Sequence, residues 1–148
     1  MLARKNYTRQ EIDTARGLVA AELRAYRGLP AAAKTKAFDA AFFNRAVLLL
    51  DYLFVHRLTG IEGKDGNALN EVRVLCNSIL LNNGKLQVDK LPEWPLSAGS
   101  GLKLPPEKSI LKLKAGDEVK LSEADFVRLY TAFFTELEKR YLEVAAAA

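Results

Sequence analysis

The stretch Phe38-Asp-Ala-Ala-Phe-Phe-Asn-Arg-Ala-Val-Leu-Leu-Leu-Asp-Tyr-Leu-Phe-Val55 decides the class of fold. It lies within residues 31–58, which contain no glycine or proline, and its apolar positions cover nearly the whole circumference of a helix. A helix that is apolar all round belongs at the centre of a protein or in a membrane. The most apolar part, residues 46–55, is interrupted by Asp51 and has about half of the roughly 20 residues that a membrane span requires. The sequence therefore predicts a central core helix over residues 31–58 and no membrane association.

Toward the N-terminus, Thr8 followed by Glu11 forms a capping box, in which hydroxyl and carboxylate each satisfy a backbone N–H at a helix start. A helix is predicted over residues 9–26, with Ile12, Ala15, Val19, Leu23 and Tyr26 as one buried stripe. Gly28 and Pro30 end it. Beyond the central helix, Asp65-Gly66 signals a turn and Asn67 an N-cap, so a third helix is predicted over residues 68–81, closed by Asn82-Asn83-Gly84. Residues 85–108 hold Pro92, Pro95, Pro105 and Pro106 and leave no room for a long regular element. Ile110, Leu111, Leu113, Val119 and Leu121 around Lys114-Ala-Gly-Asp117 read as a short β-hairpin. Ser122 then caps a last helix whose inner side carries Phe126, Leu129, Tyr130, Phe133, Leu137 and Tyr141.

The predicted architecture is mainly α: one domain over residues 1–148, resembling a four-helix bundle, with a proline-rich loop and a short β-hairpin inserted at residues 85–121 before the last helix. The 148 residues suffice for one core. At 49% hydrophobic and 27% charged residues, the composition excludes a disordered chain or a coiled-coil rod. The net charge of +4 lies in the first sixty residues, where Lys and Arg are scattered among acids rather than gathered in a block. The single cysteine, Cys76, sits in an apolar run and fits a reducing compartment. The first residues carry no apolar stretch of the secretory kind. A cytoplasmic location is the expectation.

Candidate chemistry concentrates in residues 56–77. At about 100° per residue, the central helix aligns Asn44 with Asp51, and Arg45 with Tyr52 and His56, among apolar neighbours. Buried polar groups must find partners, so an internal hydrogen-bond network is expected. On the third helix Arg73 is flanked by Asn70 and Asn77. If the two helices are antiparallel, His56, Arg57, Glu62, Lys64, Asp65, Asn67, Asn70, Arg73 and Asn77 converge at one end of the molecule. Such a set is either an architectural network or a site for a carboxylate or phosphate, which helix-terminal N–H groups, Arg57, Lys64 and Arg73 would hold.

Named chemistries fail on spacing. Glu62, Asp65, Asn67 and Glu71 lack the alternation of a calcium loop, and one His with one Cys makes no closed zinc site. Neither a metal nor another cofactor is implied. Gly63-Lys-Asp-Gly66 lacks the first glycine spacing and the Ser or Thr of a phosphate loop. Lys103, Lys108, Lys112, Lys114 and Lys120 are diluted by Glu107, Asp117 and Glu118 and have no interleaved aromatics, which disfavours nucleic acid as a partner. Trp94, between Pro92 and Pro95, is expected to anchor the loop on the helices.

The segments Phe54-Val-His-Arg57, Glu62-Gly-Lys-Asp-Gly-Asn67, Leu69-Asn-Glu-Val-Arg73 and Gly116-Asp-Glu-Val-Lys-Leu-Ser-Glu-Ala-Asp-Phe126 resemble a family of small bacterial proteins of unknown function, over residues 38–141. The resemblance implies no activity. In outline the helices are also similar to the HEPN nuclease domains, which need an Arg followed closely by a His. Here Arg45 precedes His56 by eleven residues and Arg57 follows it, so that motif is absent. The expected function is a module that binds a protein or self-associates as a homo-oligomer. The alternative is a protein or enzyme for a small anionic ligand at the polar cluster, and a HEPN-like nuclease stands behind it as a further alternative.

Overall fold

The computed structural model describes residues 6–54 and 62–142. Four helices form: α1 (Arg9–Arg27), α2 (Lys36–Tyr52), α3 (Ala68–Leu81) and α4 (Glu123–Tyr141). Short 3-10 turns occur at Ala31–Ala33 and Leu96–Ala98, and no strand occurs among the described residues. Each helix starts where a side chain can close its first turn. Thr8 N–H donates to Glu11 Oε2 at 2.8 Å while Glu11 N–H donates to Thr8 Oγ1 at 3.1 Å. Ser122 and Asp125 repeat that reciprocal cap at α4. Asn67 Oδ1 accepts the N–H groups of Leu69 and Asn70 at α3.

The helix expected over residues 31–58 is shorter at its start. Thr35, extended at ψ 161° as caps are, takes the N–H of Phe38 and starts α2 at Lys36. Pro30 leads Ala31–Ala33 into a separate 3-10 turn. Good helix-forming alanines alone do not outweigh a hydroxyl that satisfies a free N–H. At its far end α2 also stops early, at Tyr52, with Leu53 as its cap and Phe54 N–H turning back to the Asp51 carbonyl, and residues 55–58 lie outside the described residues.

One apolar core joins all four helices. The stripe Ile12, Ala15, Val19, Leu23 and Tyr26 of α1 is buried as its spacing requires. From α2 come Phe43, Ala46, Val47 and Leu50; from α4 come Phe126, Leu129, Phe133, Phe134 and Leu137. Helices α2 and α4 each pack against the other three, so α2 shares the central position with α4. Helix α2 is not apolar all round, however, because Arg45 is exposed and Tyr52 is 70% exposed, so the line Arg45–Tyr52 faces outward instead of joining an internal network. Aromatic rings link the layers: Tyr26 to Phe43 at 4.7 Å, Phe43 to Phe126 at 5.5 Å and Phe54 to Phe133 at 5.4 Å between centroids. Burying each such ring contributes about 1.5–3 kcal/mol.

The expected β-hairpin does not form. Its turn is present: Asp117 N–H donates to the Lys114 carbonyl, Lys114 N–H donates to Asp117 Oδ2, and Gly116 takes φ 88°. Its arms have other partners. Ile110 and Leu111 donate their N–H groups to the Glu71 carboxylate of α3 at 2.7 and 3.1 Å. Val119 N–H goes to the Gly84 carbonyl, and Leu86 exchanges hydrogen bonds with Gly116 and Asp117, so residues 116–119 pair with 84–86 just after α3. Lys85 and Glu118 form an isolated antiparallel bridge there. A carboxylate on a neighbouring helix has displaced one arm of the hairpin, and the chain leaving α3 has taken its place. Trp94 is half-buried.

Candidate functional site

The polar cluster grows out of the start of α3. Gly63 and Gly66, at φ 72° and 78°, shape the turn before it. A Cβ on Gly66 would come within 2.8 Å of Lys103 Cβ, so residues 62–66 lie directly on the segment that includes Lys103. Lys103 Nζ donates to the Gly63 carbonyl at 3.0 Å across that junction. Asn67 is buried as the N-cap, and Lys64 and Asp65 are exposed on the turn.

Asn70, Arg73 and Asn77 follow at helical spacing and share one side of α3. Glu62, 3% exposed, receives Arg73 in a bidentate pair: Arg73 Nε donates to Oε1 and Nη2 to Oε2. Opposite charges so enclosed are matched within the protein, and a planar guanidinium suits a carboxylate in this way. Arg73 Nη1 continues to the Ala98 carbonyl at 2.5 Å, and Asn77 Nδ2 donates to the same oxygen at 2.8 Å. Asn70, fully buried, donates to the Gly101 carbonyl at 3.1 Å and accepts the Lys103 N–H at 2.8 Å. Its amide also reaches Glu62 Oε2 at 3.4 Å.

Of the nine site residues expected from the sequence, Glu62, Asn70, Arg73 and Asn77 are thus brought into one hydrogen-bonded network. Asn67 borders it as the cap of α3, Lys64 and Asp65 turn to solvent, and His56 and Arg57 lie outside the described residues. Two participants were not among the nine. Glu71 holds residues 110 and 111. Asn44, on α2, donates to the Val119 carbonyl at 2.6 Å and accepts the Leu121 N–H at 3.3 Å. The signal for Asn44 was its place among apolar residues of a core helix; its partners are main-chain atoms, which no side-chain pattern marks.

Burial raises the Glu71 carboxyl above its ordinary range, against the pull of the Ile110 and Leu111 N–H groups. Burial also pushes the Cys76 thiol up, and its Sγ lies 3.5 Å from the Val47 carbonyl oxygen. A thiol in that setting packs as a small apolar group rather than acting as a nucleophile. Among the described residues, no three His, Cys, Asp or Glu side chains converge in a metal-binding arrangement. No described helix is long and apolar enough to cross a membrane. What the network does is grip: side chains of α3 and α2 hold backbone groups of the chain between residues 98 and 121. Comparison with protein-family models, with curated proteins and with solved structures finds no match to this chain.

Proposed function

We propose that the chain is a non-catalytic cytoplasmic module that binds a protein, with a second copy of itself as the first partner to test. The observation that carries this reading is the exposure of Leu96, at 91%, on a segment held firmly to α3. Asn77 fixes Ala98, two residues from Leu96, and the exposed Leu80 and Leu81 lie three and four residues further along α3. Three exposed leucines at one end of a clamped structure suit a contact surface better than solvent. The polar cluster supports the same preference, because an anionic ligand there would compete with Glu62 for both edges of the Arg73 guanidinium.

Sedimentation equilibrium over a range of concentrations tests the reading. Self-association of the wild-type chain that is lost in Leu80→Lys/Leu96→Lys is the expected result. A wild type that stays monomeric throughout removes the homo-oligomer. Cross-linking that captures the same proteins with wild type and the double variant removes this surface as a partner site.

A further inference from the structure

Asn70 and Asn44 make the same pair of bonds. Each carboxamide donates to the carbonyl of one residue and accepts the N–H of the residue two further on: Gly101 and Lys103 for Asn70, Val119 and Leu121 for Asn44. Those are groups that an extended chain turns toward a neighbouring strand. Here a side chain on a helix stands in for the strand. On α3, Arg73 and Asn77 add two donors to one more carbonyl, that of Ala98. The side of α3 carrying Asn70, Arg73 and Asn77 therefore reads main chain. Between residues 87 and 118 only Ala98 and Ser109 are fully buried, while Val88, Leu102, Ile110, Leu111 and Leu113 pack partly buried against the core.

We propose that this side of α3 is a recognition surface for the main chain of a peptide that is extended at the positions of residues 101–103, covered in the resting protein by residues 97–104 as an intramolecular pseudo-ligand. This goes beyond the exposed-leucine reading, since the surface and its chemistry are different and its peptide test does not involve Leu96. The partner is a protein segment that follows the resident path, with glycine at the Gly99 position, where φ is 72°, an extended stretch after it, and small residues at two further places. One faces the Ala98 position, which is buried. The other is glycine at the Gly101 position, where a Cβ would come within 2.2 Å of the Val88 carbonyl oxygen. Recognition through carbonyl and N–H groups leaves the remaining side chains free to vary. Segments that bury few side chains fully also open at lower free energy than the core.

A labelled peptide of residues 97–104, Ser-Ala-Gly-Ser-Gly-Leu-Lys-Leu, titrated onto the full chain tests the proposal. In Gly101→Val the added side chain expels the resident segment. This variant is expected to bind the peptide about a hundredfold more tightly than the wild type, because the intramolecular competitor is gone. Methylating the peptide nitrogen at the Lys103 position removes the N–H that Asn70 accepts and should abolish binding. A peptide that binds equally well with and without that methyl group overturns main-chain recognition. If Gly101→Val does not fold, the wild type alone decides: peptide at millimolar concentration must shift the side-chain amide resonances of Asn70 and Asn77, and an unmoved spectrum overturns the proposal.

Discussion

The four helices and the chain between α3 and α4 are held by different means. The helices meet through large apolar side chains, with Phe43, Phe126, Phe133, Leu50 and Leu137 almost entirely enclosed. Residues 87–118 lay Val88, Leu102, Ile110, Leu111 and Leu113 against the core only in part and are pinned as well by polar groups reaching from α3: Asn70 to residues 101 and 103, Arg73 and Asn77 to 98, and Glu71 to 110 and 111. In the first region the folding code is the chemistry of both partners. In the second it is in large part the chemistry of one, since the other partner in these hydrogen bonds is backbone common to any sequence. The two modes therefore fail differently under mutation.

The largest effect belongs to the core. Phe43→Ala should cost about 3–5 kcal/mol, from lost transfer energy and the cavity left behind. In urea unfolding, every probe should shift together, including the tryptophan signal of Trp94 in the pinned region. A Trp94 transition that stays put while the helical signal shifts would break the comparison, by showing that the segment does not depend on the core.

Arg73→Ala comes next, at about 3 kcal/mol, because it leaves the Glu62 carboxylate buried without its counter-charge. Removing both partners in Glu62→Ala/Arg73→Ala should restore part of that loss. A double variant less stable than Arg73→Ala would mean that Glu62 holds the structure by something other than the ion pair. The Arg73 hydrogen bond to the Ala98 carbonyl would be lost in either variant, leaving Asn77 alone on that oxygen, so the segment should loosen even where global stability recovers.

The smallest effect is the pH dependence of Glu71. Its carboxyl titrates above the ordinary value of 4.5 because burial disfavours the charged form, and the N–H groups of Ile110 and Leu111 only partly offset this. The folded state therefore binds the proton more tightly than the unfolded state. The stability from this group is fully present below the unfolded value and is lost as pH rises through the raised folded value. The difference in unfolding free energy between wild type and Glu71→Gln should accordingly move in favour of the wild type as pH falls from neutrality toward 4.5. A difference that moves the other way would show that the N–H groups, not burial, govern Glu71.

The same contrast explains what could be read in advance. Thr8, Asn67 and Ser122 announce helix starts because a cap is a side-chain device, and the stripe from Ile12 to Tyr26 was readable from spacing alone. Asn70, Arg73 and Asn77 were placed on one side of α3 for the same reason. What they hold was not legible, because the carbonyl of Ala98 and the N–H of Lys103 carry no mark of their own in the sequence. The missing hairpin has the same origin. The apolar residues 110–113 and 119–121 suit paired strands, yet a single carboxylate two elements earlier, Glu71, takes the N–H groups that pairing needs. The outward turn of Arg45 and Tyr52 has a different cause: periodicity tells which residues share a line, and packing decides which line faces in.

Amide hydrogen exchange at Lys103, compared between wild type and Asn70→Ala, tests most directly whether a side chain of α3 holds this segment. Loss of protection at Lys103, with the amides of α1 and α4 exchanging as before, is the predicted result. Unchanged protection at Lys103, or an equal loss across all four helices, would contradict it.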